Sequence, residues 1–263
     1  MQLPKGKALC ACGKWTFCHT EGASSGPLRP LSAVPRVPKP RVLTEVWWAP
    51  LLGGGVVKGS VTLVGGEPGI GKSTLALDAV DRCIGETGLR GAYLAVEERD
   101  TEILSRAERI QCKHLDRLYV PNEKLTPELG ILDELEGVCM VCLDSLSKLS
   151  RNDVMQVRIL ERLTEFAQKT NIPVFALSHV NKGKDFSGFM ELQHEVDATV
   201  ILRKDKKTRI RSWETIKNRN GSTEAAVQQF AQTDTGVKPI FRDDDEDGVE
   251  EEDTHSVPRG FHT

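Results

Sequence analysis

The stretch Gly66-Glu67-Pro68-Gly69-Ile70-Gly71-Lys72-Ser73-Thr74 constrains this chain more than any other, because it fits the pattern Gly-x4-Gly-Lys-Ser and its flanks supply the context that pattern needs. Val61-Thr62-Leu63-Val64 reads as a buried strand entering the loop, and Leu75-Ala76-Leu77-Asp78-Ala79-Val80 as the first turns of a helix leaving it. Strand, glycine turn and helix together make a phosphate cradle. Loop N–H groups converge on phosphate oxygens, and the free N–H groups at the helix start add positive field. In that geometry Lys72 reaches the β- and γ-phosphates and the Ser73 hydroxyl ligates Mg2+. The predicted ATP-binding set is therefore Gly66, Glu67, Pro68, Gly69, Ile70, Gly71, Lys72, Ser73 and Thr74.

At 263 residues the chain has room for one good-sized core with appendages. Its formal net charge of -3 excludes a global basic excess, so any nucleic-acid surface must be local. No apolar run reaches membrane-spanning length and Met1 to Lys7 is polar, which predicts a soluble, cytoplasmic protein without a membrane partner. The 7 cysteines divide between an N-terminal cluster and scattered apolar segments, which is not a disulfide framework.

Cys10, Cys12, Cys18 and His19 fall within a short glycine-containing stretch. Thiolate and imidazole suit tetrahedral zinc, so Cys10, Cys12 and Cys18 are candidate Zn2+ ligands, although a ribbon needs two Cys-x2-Cys knuckles and here there is one Cys-x-Cys pair. The alternative is a reduced, thiol-bearing N-terminus without metal. Residues 1–22 are assigned to this segment. Residues 23–45 read as a Pro- and Ser-rich basic linker, residues 46–240 as the core, and residues 241–263 as an acidic tail without core-forming residues.

Within the core, Ala92-Tyr93-Leu94-Ala95-Val96 is a second strand, ending on Glu97-Glu98. A carboxylate at a strand's carboxyl end faces the crevice where α/β folds bind ligands, and Glu97 is the candidate to orient or deprotonate an attacking water. Glu98, Asp100 and Glu102 also suit the first turn of a helix over 101–111, with Ile103, Leu104, Ala107 and Ile110 as its core stripe. Gly137 to Ser145 is an unbroken apolar strand terminating in Asp144, the candidate Mg2+-linked acid. Cys139 and Cys142, three apart on that strand, are expected on opposite faces and hence as core residues.

An amphipathic helix over 154–169 precedes the strand Ile172 to Leu177, which leads to His179, a candidate γ-phosphate sensor. Lys182 and Lys184 in the loop beyond are candidate DNA contacts. The strand Ala198 to Leu202 opens a hairpin dense in Arg203, Lys204, Lys206, Lys207, Arg209 and Arg211, a local basic patch that the net charge conceals.

Strand, phosphate loop, strand ending in glutamate, strand ending in aspartate and strand ending in a polar residue is the order of a RecA-like α/β ATPase core with a mostly parallel central sheet. Leu52 to Ser60, Gly65 to Thr74, Ser105-Arg106-Ala107-Glu108-Arg109 and Lys217-Asn218-Arg219-Asn220-Gly221-Ser222-Thr223 together resemble the bacterial RadA (Sms) DNA repair family, over roughly Cys10 to Phe230. The resemblance implies a DNA-dependent ATPase, with ATP and Mg2+, that forms hexameric rings on single-stranded or branched DNA and drives branch migration of recombination intermediates. It also implies that Lys217 and Arg219 act in trans on a neighbouring subunit's ATP, and makes both candidate DNA contacts. The chain departs from the family pattern in its single Cys-x-Cys pair, in Asn220 where the motif carries Phe, and in an acidic tail where the family has a protease-like domain. Two other readings compete with a DNA motor. One is an ATP-binding interaction module that has lost translocation. The other, a small-molecule phosphotransferase, leaves the basic motif unexplained.

Overall fold

The computed structural model describes residues 7–9, 15–17, 28–35, 37–180, 189–223 and 227–241. The chain divides into two units, residues 1–39 and 40–263. In the first, β1 (Lys7–Leu9) and β2 (Trp15–Phe17) form an antiparallel pair with Leu9 opposite Trp15. Cys10, Cys12 and Cys18, the predicted zinc ligands, lie outside the described residues.

In the second unit, β3 (Arg41–Val42) pairs with β4 (Val56–Val57). The chain then builds a nine-stranded sheet. Its parallel part comprises β5 (Val61–Gly66), β6 (Arg90–Ala95), β7 (Leu118–Tyr119), β8 (Val138–Asp144), β9 (Val174–His179) and β10 (Ala198–Lys204). Antiparallel strands β11 (Arg211–Asn218), β12 (Val227–Thr233) and β13 (Gly236–Pro239) extend one side. The spatial order is β13-β12-β11-β10-β5-β9-β8-β6-β7. Central strands β5, β8 and β9 are nearly continuous apolar runs because helices cover both of their faces.

The two faces hold two cores. Helices α1 (Lys72–Thr87) and α2 (Asp100–Arg109) pack Leu75, Leu77, Val80, Ile84, Ile103 and Ala107 on one side, together with Trp48 and Trp213. On the other side α4 (Asp153–Thr170) packs Ile159, Leu160, Leu163 and Phe166. A short helix α3 (Leu146–Leu149) lies between β8 and α4. Helix ends follow their local chemistry. Asn152 caps α4 by accepting from the Met155 N–H at 3.0 Å, and α1 stops at Gly88, whose φ of 70° terminates it in a left-handed turn.

Two details differ from the expectations. Leu104 is 47 % exposed, because Ile103, Ala107 and Ile110 at intervals of four and three residues already form the core stripe, and Leu104 lies one residue round the turn. Cys139 and Cys142 are both buried, yet they share a face. The register jumps from Arg90 opposite Val138 to Gly91 opposite Met140, so Cys139 is an extra residue in a bulge that resets the alternation.

Glycines at two distant sites are explained by a single contact. A Cβ on Gly53 would lie 3.2 Å from the Gly221 Cα, so the turn after Leu52 and the Lys217 to Thr223 segment meet backbone to backbone. Arg41 clamps them, its guanidinium donating to the carbonyls of Leu52 (3.0 Å), Gly55 (2.7 Å) and Asn220 (2.7 Å). Beside this junction Trp48 stacks on Trp213 at 5.2 Å, and Trp47 meets Trp213 edge-on at 6.2 Å.

Candidate nucleotide site

Parallel pairing brings the carboxyl ends of four strands together. Gly66 lies beside His179, and Asp144 beside Leu177 on one flank and Ala95 on the other. Their loops enclose a cavity of about 1000 Å³, lined among others by Lys72, Ser73, Glu97, Asp144, Lys148 and His179. Five predicted residues, Lys72, Ser73, Glu97, Asp144 and His179, from four separate segments thus face one space. A mostly polar crevice at this edge of a parallel sheet is where such folds hold nucleotides.

The loop holds its lysine ready. Gly71, with φ of 112°, takes a left-handed conformation immediately before α1, and as a glycine N-cap it has no side chain to occupy the first N–H groups of the helix. Lys72 is 4 % exposed, and its Nζ donates to the Gly66 carbonyl at 2.8 Å and the Glu67 carbonyl at 3.1 Å. Burial pulls its pKa down to about 8, against an opposing attraction from Asp144. Nζ also lies 3.2 Å from His179 Nδ1. Burial, and then the Lys72 charge, hold His179 below its ordinary pKa, so a neutral ring accepts from Lys72 through Nδ1. The His179 backbone N–H donates to Ser147 Oγ at 3.1 Å.

Asp144 has a partner that the sequence did not reveal. The Tyr93 hydroxyl donates to Asp144 Oδ2 at 2.5 Å from the middle of the adjacent strand. Burial, then the negative charge of Asp144, keep Tyr93 protonated well above its ordinary range, so it remains a donor. In sequence Tyr93 is one aromatic residue in an apolar strand, and only the β6–β8 register turns its hydroxyl into an orienting group. Ser73 and Asp144 offer hydroxyl and carboxylate oxygens, the hard donors Mg2+ prefers, on the wall of the cavity that holds the phosphate loop.

The two adjacent glutamates differ in freedom. Glu98 is held by both terminal nitrogens of Arg106, one at 2.6 Å. Glu97 has a 56 % exposed side chain and, among the described residues, one ion pair, to Lys148 Nζ at 2.8 Å. Glu97 is therefore the carboxylate that can turn toward a bound substrate. Gln232, which sequence reasoning missed, also lines the cavity, delivered by β12 from far along the chain.

Lys217 and Arg219 lie elsewhere. Lys217 Nζ donates to the carbonyls of Gln193 and of Val196, the latter at 2.8 Å, and Arg219 Nη2 to the His194 carbonyl at 2.8 Å. Burial and then the neighbouring Arg219 charge lower the Lys217 pKa. Since β11 runs antiparallel to β10, Asn218 pairs with Ala198, which pairs with Thr62 at the start of β5. That is four residues, about 13 Å along a strand, from the Gly66 level where the phosphate loop begins. Lys182 and Lys184 lie outside the described residues.

A family model described as AAA domain matches residues 48–185, just over half of the chain, and spans the phosphate loop, Glu97, Asp144 and His179. The chain belongs to the AAA domain family. Among curated relatives, this AAA-domain chain is similar to DNA repair protein RadA of Aquifex aeolicus, 37 % identical over 200 residues that make up 72 % of the chain and 44 % of the relative. It is also similar to DNA repair protein RadA of Mycolicibacterium smegmatis, at 35 % identity over 72 % of the chain and 43 % of the relative. DNA repair protein RadA of Bacillus subtilis is 28 % identical over 84 % of the chain and 54 % of the relative. The chain thus spans about half the length of the relatives it matches. In fold it resembles KaiC-like protein PH0186 of Pyrococcus horikoshii, with a TM-score of 0.66 at 15 % identity over 78 % of the chain and 100 % of that structure, as expected of a RecA-like α/β phosphate-loop core. Among the described residues no helix is long and apolar enough to cross a membrane.

Proposed function

We propose that this chain hydrolyses ATP in an assembly of its own copies and couples the hydrolysis to DNA in recombination and repair. The observation that carries the reading is the separation of two sets of groups. The phosphate loop, Asp144, Glu97 and His179 gather at the carboxyl edge of the parallel strands, while Lys217 and Arg219 sit toward the opposite edge. A cation so placed cannot serve its own γ-phosphate, but in a ring or stack of copies it reaches the neighbour's.

In that assembly Lys72 leaves its loop carbonyls for the β- and γ-phosphates. Bound Mg2+ would supply charge neutralisation at the phosphates, held from the protein side by Ser73 and, through water, by Asp144. Glu97 exchanges Lys148 for the attacking water and takes its proton, and neutral His179 offers a hydrogen bond at the γ-phosphate. Arg219, with Lys217, adds positive charge in trans where phosphoryl charge develops, a contribution worth about 10³ to 10⁵ in rate. The relatives' designation as DNA repair proteins supports DNA as the effector, with single-stranded DNA binding and processing or branch migration as the work done.

The test is ATP turnover against protein concentration, with and without single-stranded DNA, with Lys72→Ala as the blank. Turnover per subunit that rises with concentration and again with DNA supports shared sites and DNA coupling. Turnover indifferent to both returns the chain to a self-contained nucleotide-binding module.

A further inference from the structure

The β10–β11 hairpin carries a cationic tip that the nucleotide site does not use. Lys204, Lys206, Lys207 and Arg209 are all exposed, and none has an ion-pair partner among the described residues. Just below the tip Arg203 is neutralised by Glu214 at 2.5 Å. The acid within the turn, Asp205, forms no ion pair with these cations among the described residues, and its single charge against their four leaves the tip net positive. Its carboxylate accepts from the backbone N–H groups of Lys207 (2.8 Å) and Thr208 (2.7 Å), which also holds its pKa low. Two further bonds close the turn, Arg209 N–H to the Asp205 carbonyl at 3.0 Å and Asp205 N–H to the Ile210 carbonyl at 2.9 Å. Four cations are thus displayed on a preorganised turn, which lowers the ordering cost of whatever binds them.

The complementary charge is in the same chain. Asp243-Asp244-Asp245-Glu246-Asp247 and Glu250-Glu251-Glu252-Asp253 carry nine carboxylates and begin two residues after the last described residue, Phe241. The chain leaves the sheet where the Ile240 N–H donates to the Gln229 carbonyl, and Gln229 pairs with Ser212 just below the hairpin tip. The exit is therefore two strand spacings, about 10 Å, to the side of β11 and roughly 10 to 15 Å along the strands below the tip. Residues 242–247 in extended form span about 20 Å, so the first acidic run reaches Lys206, Lys207 and Arg209. A tether this short holds the acids at an effective concentration of roughly millimolar, enough for several individually weak surface pairs to act together.

We propose that the acidic segment 243–253 docks on the Lys204–Arg209 hairpin tip of its own chain and occupies that surface against other polyanions. The docking itself does not depend on the DNA reading above; only its consequence for DNA does. The experiment uses the full chain and two variants of it. One has a neutralised tail, Asp243→Asn, Asp244→Asn, Asp245→Asn and Asp247→Asn. The other has a neutralised tip, Lys206→Gln and Lys207→Gln. Carbodiimide coupling of carboxylates to lysines, mapped by mass spectrometry at two protein concentrations, is expected to join residues 243–253 to Lys204, Lys206 or Lys207 within monomers. The yield should be independent of concentration and lost at high salt. Coupling spread evenly over surface lysines, or confined to cross-linked dimers, overturns the proposal.

Binding of an oligothymidylate at low salt supplies the second measurement. Tail neutralisation is expected to tighten binding about tenfold, and the gain should vanish when the tip is neutralised as well. A gain of equal size in both backgrounds means a general charge effect and overturns the competition. If no variant binds the oligonucleotide, the DNA reading fails, while the cross-links still decide the docking.

Discussion

Lys72 is withdrawn from water before any nucleotide arrives, fastened to two carbonyls of its own loop and to a neutral imidazole. Its pKa of about 8 lies below its value in the unfolded chain. Between about pH 8 and 10.5 the folded state has therefore released a proton that the unfolded state keeps, so the nucleotide-free protein should gain stability as pH rises through this window. Urea midpoints across that range check the sign, and Lys72→Met should flatten the trend. Phosphate oxygens restore the charge, so ATP binding near pH 8 to 9 should take up a proton. Calorimetry in two buffers of different ionisation enthalpy measures it, and no difference between the buffers would mean that Lys72 is already charged. Tyr93→Phe tests the second buried group. Without the hydroxyl Asp144 loses an orienting donor, and we expect the Mg2+ concentration for half-maximal turnover to rise about tenfold, with a stability loss of about 1 kcal/mol.

Among the elements, β8 and the junction of the glycine turn with β11 illustrate what local reading reaches. The apolar run from Val138 to Leu143 announces a strand, but its bulge depends on how Arg90 and Gly91 of β6 pair with it. Likewise Gly53 and Gly221 each look like turn glycines until their backbones are seen in contact. Gly53 combines a φ of 73° with a 3.2 Å approach to Gly221, so Gly53→Ala should destabilise the protein by about 1 to 3 kcal/mol and loosen the segment that holds Lys217 and Arg219. Denaturant unfolding reads the first effect. The second would appear as turnover lost out of proportion to nucleotide affinity.

For the whole molecule, the question is whether one chain is a complete enzyme. The register from β11 through β10 to β5 keeps Arg219 away from its own phosphate loop, so Arg219→Ala should bind nucleotide normally and turn it over about 10³-fold more slowly. Mixing this variant with Lys72→Ala is the decisive measurement. Some interfaces in the mixture pair an intact loop with an intact Arg219, so turnover should reappear from two inactive proteins. A mixture as silent as its parts would remove Arg219 from catalysis in trans.

The sequence alone determined the phosphate loop, the parallel strands and the strand-end carboxylates, because these are local patterns. A loop that cradles phosphate needs fixed spacing, and a strand buried on both faces needs an unbroken apolar run. Only the tertiary structure decided which side chains share a space with that loop. Tyr93 against Asp144, Gln232 beside the loop, Glu97 paired with Lys148, and the removal of Lys217 and Arg219 from the cavity all depend on pairing between segments distant in the chain. A one-residue shift in register turns every side chain to the other face, and which strands pair, and so which side chains meet, depends on both partners rather than on either strand's own sequence.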